Sequence, residues 1–131
     1  MAAAAGLCLG ALALTAQAQT KWDLPSAYPP ANYHTENLVQ FAKDVDAATG
    51  GKLKIAVHSN ASLFKATEIK RAVQSGQAQA GEILLANYAN ENAIYALDGV
   101  PFLATTYGDA RKLYDVSKAS MDKLLAAQGI K

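Results

Sequence analysis

The run from Leu53 to Asn87, LKIAVHSNASLFKATEIKRAVQSGQAQAGEILLAN, constrains the fold more than any other stretch of the chain. Leu53, Ile55 and Val57 alternate with Lys52, Lys54 and Ala56, the period-two pattern of a strand with one face more buried than the other. A polar loop, His58 to Ser62, follows. Ala66, Ile69 and Val73 then fall on the inward side of a helix, with Glu68, Lys70 and Arg71 outward and Gly76 as its stop. Gln79 to Leu85 reads as a return strand, so the run is a right-handed βαβ unit. Open α/β sheets bind ligands at such strand ends. No phosphate-cradling glycine loop, nucleophile elbow or metal-ligand cluster occurs in the run or elsewhere, which favours a binder.

The flanking sequence extends the α/β reading. Lys21 to Ala27 is a candidate first strand, ended by Tyr28-Pro29-Pro30, because prolines lack the amide a strand ladder needs. Asn32 is a candidate N-cap for a helix whose Leu38, Phe41, Val45 and Ala48 form one buried stripe, and Gly50-Gly51 stops it. Asn87 to Leu97 fits short helical turns, Asp98-Gly99 a turn, and Val100 to Leu103 another short strand. Asp109 to Gln128 is the longest helical pattern, with Ala110, Leu113, Tyr114, Ser117, Met121, Leu124 and Leu125 on one face and Gly129 as stop. An α/β layer that ends on a helix returns to a strand, so the chain is expected to be the front part of a longer protein.

Composition narrows the function. The 131 residues suffice for one modest domain, and a net charge of +1 with interspersed signs leaves no patch to neutralise a row of phosphates, so nucleic acid is excluded as a partner. Residues 1–20 carry no charged side chain, and Ala2 to Leu14 is a small-apolar stretch too short to span a bilayer. It leads to Ala16-Gln17-Ala18, a small-x-small tripeptide of the kind signal peptidase cuts after. The expectation is a signal peptide over residues 1–18, export to the periplasm, and a mature lobe from 19 to 131. The positively charged start of a signal peptide is missing, and the alternative is an alanine-rich helix that stays attached. Cys8, the only cysteine, lies inside this leader, so the mature protein can form no disulfide.

Taken together, the Tyr28-Pro29 turn before His34, Phe41-Ala42-Lys43-Asp44-Val45 and Gly50-Gly51-Lys52-Leu53-Lys54-Ile55 resemble the opening of a TRAP transporter solute-binding protein. Asn60-Ala61-Ser62-Leu63-Phe64-Lys65, Glu68 to Gln74, Gly76-Gln77, Gly81-Glu82 and Gly99-Val100-Pro101-Phe102-Leu103 continue the match in order. The resemblance is to receptors of the dicarboxylate-binding-protein type, and it implies the N-terminal lobe of a two-lobed α/β clamp that closes on a small carboxylate. It also implies delivery to the membrane subunits of a sodium-driven TRAP transporter, with no cofactor. In this family the arginine that clamps the ligand carboxylate comes from the second lobe, and no residue here matches it; Arg71 and Arg111 both sit in helices.

The resemblance places ligand contacts at Tyr28, His34, Lys65, Glu82 and Asn87, and each has a plain structural alternative. Lys65, beside a helix N-terminus, can hold an anion or be a solvated surface lysine. Glu82, in an otherwise apolar run, can accept from ligand hydroxyls or sit in an internal ion pair. Asn87 can donate to and accept from a ligand or cap its loop. Tyr28 can wall the cleft or pack in the core, and His34 can touch ligand or cap its helix. His58 reads as a surface residue, and neither histidine has a partner at metal spacing, so no metal site is expected. Two competing functions remain: an exported enzyme using Glu82 or His34 as a general base, and an envelope protein-interaction domain.

Overall fold

A computed structural model describes residues 19–131, and the leader expected over residues 1–18 lies outside them. Strand β1 (Thr20–Pro25) is followed by helix α1 (Tyr33–Ala48) and strand β2 (Leu53–His58). The two strands pair in parallel, Thr20 opposite Leu53 and Pro25 opposite His58, so β1, α1 and β2 form a regular parallel crossover unit. Short helix α2 (Ile69–Gln74), 3-10 helices at Leu85–Tyr88 and Ala93–Gly99, and the long helix α3 (Tyr107–Ala126) complete the chain.

Local chemistry sets most of these boundaries. The Asn32 side chain accepts from the His34 amide at 2.9 Å to start α1, and Gly50 and Gly51, at φ +59° and +80°, end it. Helix α3 starts two residues earlier than its apolar pattern predicts, because the Thr106 hydroxyl accepts from the Asp109 amide at 3.1 Å. Leu24, Pro25, Ser26, Ile69, Ala72 and Ala78 form a small core between β1 and α2, and Tyr88 and Tyr95 are buried beyond it.

Four expectations need correction. Gln79 to Leu85 is not a regular strand: it runs along the free edge of β1, where Ala80 and Glu82 donate their amides to the Asp23 and Pro25 carbonyls at 3.4 and 3.0 Å. The return bonds are missing, because Pro25 has no N–H and the Asp23 amide is taken by the Gln79 side chain at 2.9 Å. Half a ladder leaves an extended segment. Val100 to Leu103 is a turn, closed by a 3.2 Å bond from the Leu103 amide to the Val100 carbonyl. Pro101 presets its second position, and Phe102 holds φ +64° at the third. The α1 stripe is only partly covered: Leu38 and Val45 are half-buried against β2, while Phe41 is 48% exposed. Lys70, expected on the outer face of its helix, is instead buried.

Candidate functional site

Beyond the carboxyl end of β1 the chain passes through Ser26, Ala27 and Tyr28, which is where a crevice forms in open α/β sheets. A cavity of about 230 Å3 opens there, lined by Ala27, Tyr28, Ala66, Glu82, Ile83, Leu84 and Asn87. The extended segment along β1 carries Glu82 into this wall, and the first 3-10 helix carries Asn87. Ser26 is completely buried and donates its hydroxyl to Glu82 Oε2 at 2.9 Å, while its Oγ accepts from the Tyr28 amide at 3.3 Å. That bond fixes one carboxylate oxygen of a half-buried Glu82 and leaves the other for a ligand.

The structure therefore brings Tyr28, Glu82 and Asn87 to one cavity and leaves His34 and Lys65 out of its lining. His34 lies behind the Tyr28 wall, its ring stacked on Tyr28 at 4.6 Å between centroids and tilted against Tyr33 at 4.0 Å. Lys65 precedes α2 by a turn, its carbonyl accepting from the Glu68 and Ile69 amides. Its own amide is capped by the Glu68 carboxylate at 3.0 Å, so the backbone donor that would help hold an anion is already occupied. His58 is not a free surface residue, since its Nε2 lies 2.7 Å from the Asp23 carboxylate.

Two features escape sequence reading. Ser26 gives no signal, because a lone serine near the end of the candidate strand Lys21 to Ala27 carries nothing that marks it as a buried donor. The other is a polar cluster behind Asn87: Lys70, with 5% of its side chain exposed, pairs with the Glu91 carboxylate and lies 4.8 Å over the Tyr88 ring. The Tyr88 hydroxyl donates to the Ala66 carbonyl at 3.2 Å, and burial raises its pKa above the usual tyrosine value. A larger cavity of about 360 Å3 lies between α3 and the second 3-10 helix and contains none of the five predicted residues. Among the described residues no group of three or more His, Cys, Asp or Glu is placed to hold a metal ion, and no helix is long and apolar enough to cross a membrane.

The 230 Å3 cavity offers one carboxylate acceptor, one amide and an aromatic wall, with no cation in its lining. It is suited to orienting a small polar molecule rather than neutralising one. A family model described as bacterial extracellular solute-binding protein, family 7, matches residues 26–131, and the chain belongs to that family. Among solved structures it is similar to DctP6, a Bordetella pertussis extracytoplasmic solute receptor binding pyroglutamic acid, with 64% identity and a TM-score of 0.82 over 84% of this chain and 36% of that one. A marine metagenome TRAP solute-binding protein specific for pyroglutamate matches over the same shares at 48% identity and TM-score 0.82. Bordetella pertussis DctP7, also a receptor binding pyroglutamic acid, matches at 42% identity and TM-score 0.81, again over 84% and 36%. The chain thus spans about a third of the length of these receptors, and its fold is part of the two-lobed TRAP binding-protein architecture. No curated protein matches it.

Proposed function

We propose that this chain is the partial N-terminal lobe, residues 19–131, of an exported receptor that captures a small cyclic amide acid of the pyroglutamate kind. The receptor hands it unaltered to the membrane subunits of a TRAP transporter. The observation that carries the reading is the Ser26-held carboxylate of Glu82 facing the cavity beside Asn87. Pyroglutamate presents a lactam N–H, a lactam carbonyl and a carboxylate. Glu82 can accept from the N–H, the Asn87 amide can donate to the carbonyl, and Tyr28 can cover one face of the ring. Three relatives that bind pyroglutamate support the assignment. The ligand carboxylate needs a cation that the cavity lining does not provide, and the reading assigns it to a second lobe. Residues 1–18 serve as a signal peptide cleaved after Ala18, which places the receptor in the periplasm.

The test is calorimetric titration of the intact protein with L-pyroglutamate, L-proline, succinate and galactonate. Pyroglutamate is expected to bind, and proline, which lacks the lactam carbonyl, to bind at least tenfold more weakly. Asn87→Ala, which removes the donor assigned to the lactam carbonyl, should lose most of the preference. Absence of binding or ligand-linked stabilisation with every acid would refute the reading.

A further inference from the structure

Asn87 can meet a ligand only if the turn it stands on is held in place against the rest of the cavity lining. Ala66 lines the same cavity, and Asn87 belongs to the 3-10 helix Leu85–Tyr88, a single turn closed by a 3.1 Å bond from the Asn87 amide to the Leu84 carbonyl. One isolated turn is marginal in water, so something else must hold it. Its next residue does: the buried Tyr88 reaches across to the Ala66 carbonyl at 3.2 Å. Lys70 of α2 lies against the Tyr88 ring and pairs with Glu91, whose own amide donates to the Tyr88 carbonyl at 2.9 Å.

We propose that Tyr88, Lys70 and Glu91 form a staple that sets the width of the cavity between Ala66 and Asn87 and so selects the ligand by ring size. Tyr88 and Lys70 are positioning residues, acting on the ligand through Asn87 and the Ala66 wall. Lys70 is the one charged residue among the buried ones of the described residues, and a buried ammonium is costly unless it is paired. Here it lies against the ring whose hydroxyl ties the Asn87 turn to Ala66, which gives that cost a purpose. The tyrosine hydroxyl stays a donor because burial keeps it protonated.

The inference rests on the proposed cyclic-acid receptor, and the experiment separates the two. The intact protein, wild type and Tyr88→Phe, is titrated with L-pyroglutamate and with its six-membered lactam homologue. Wild type should prefer the five-membered ring. Tyr88→Phe should weaken pyroglutamate binding by about three- to tenfold, the range of one lost hydrogen bond, and weaken the larger ring less. The ratio of the two affinities should fall about threefold or more, which general destabilisation would not produce. Lys70→Met, measured the same way, should shift the ratio in the same direction and substitutes for Tyr88→Phe if that variant does not fold. Wild type that binds neither acid defeats the receptor reading itself. Wild type that binds pyroglutamate while the variants leave the ratio unchanged overturns the staple alone.

Discussion

Gly81 lies against Ile69 and Val73 of α2 and near Pro25 of β1, and the structure fixes what a single methyl would do there. A Cβ on Gly81 would lie 2.6 Å from Ile69 Cγ2 and 3.0 Å from Val73 Cγ2, with Pro25 Cγ at 3.9 Å. Ile69 is fully buried and both contacts are branched methyls close to the helix backbone, so neither can swing away. Two effects oppose each other in Gly81→Ala. The loss of unfolded-state freedom favours alanine by about 0.4 to 1 kcal/mol, since Gly81 holds no positive φ. Overpacking costs about 1 to 3 kcal/mol, so the net is a destabilisation of up to about 2.6 kcal/mol, about 1 to 1.5 at mid-range. Urea denaturation followed by Trp22, the only tryptophan of the 131 residues, measures it. Ile69→Ala removes the offending Cγ2, and the double variant should therefore lose less than the two single losses combined. Because Glu82 is the next residue, Gly81→Ala should also weaken ligand binding. A Gly81→Ala protein as stable as wild type, with additive behaviour in the pair, would show that the helix and strand do not pack as described.

Ser26→Ala removes the buried donor that holds Glu82 and should cost about 1 kcal/mol, because water reaches the half-buried carboxylate and replaces part of the bond. Its larger effect should be on pyroglutamate affinity, read by calorimetry, and affinity within twofold of wild type would mean Glu82 is not oriented by this bond. Alkaline stability provides a second check. The Tyr88 phenol has a model value of 10.0 and is raised in the fold chiefly by burial, so above about pH 10 the unfolded chain gives up a proton that the folded chain keeps. The folded state then binds more protons, and stability is complete below that pH and declines as pH rises through the folded pKa. Tyr88→Phe should flatten this decline in melts taken between about pH 9 and 11, and an unchanged slope would assign the alkaline loss to other groups.

The legible parts of the fold are those decided within a few residues. Asn32 and the Gly50-Gly51 pair bound α1, the Leu53-Ile55-Val57 alternation marks β2, and Gly129, at φ +78°, stops α3. The absence of a third strand is not legible, because the ladder is prevented by Pro25 and by the Gln79 side chain acting on Asp23, 56 positions before it. Lys70 was misread for a related reason. Helix α2 has six residues, too few for a 3.6-residue period to identify its covered face. What covers Lys70 is the turn that carries Tyr88 and Glu91, visible only once the chain has folded back.

The cations around the cavity lead to a sharper reading of its chemistry than the sequence allowed. The exposed Lys65 stands out at the mouth of a loop, but its backbone donor is consumed by Glu68 and its side chain is not part of the lining. Lys70 is committed to Glu91 and to the Tyr88 ring. Neither arginine lines it: Arg71 is exposed on α2, and Arg111 pairs with Asp115 on α3 at 3.1 Å. What lines the cavity is a carboxylate, an amide and a phenol ring, a set that rewards N–H and C=O groups on a flat ring and repels a second negative charge placed near Glu82. On the proposed reading this lobe meets the lactam side of the ligand, and an acid carrying a carboxylate at both ends should be discriminated against at Glu82 itself.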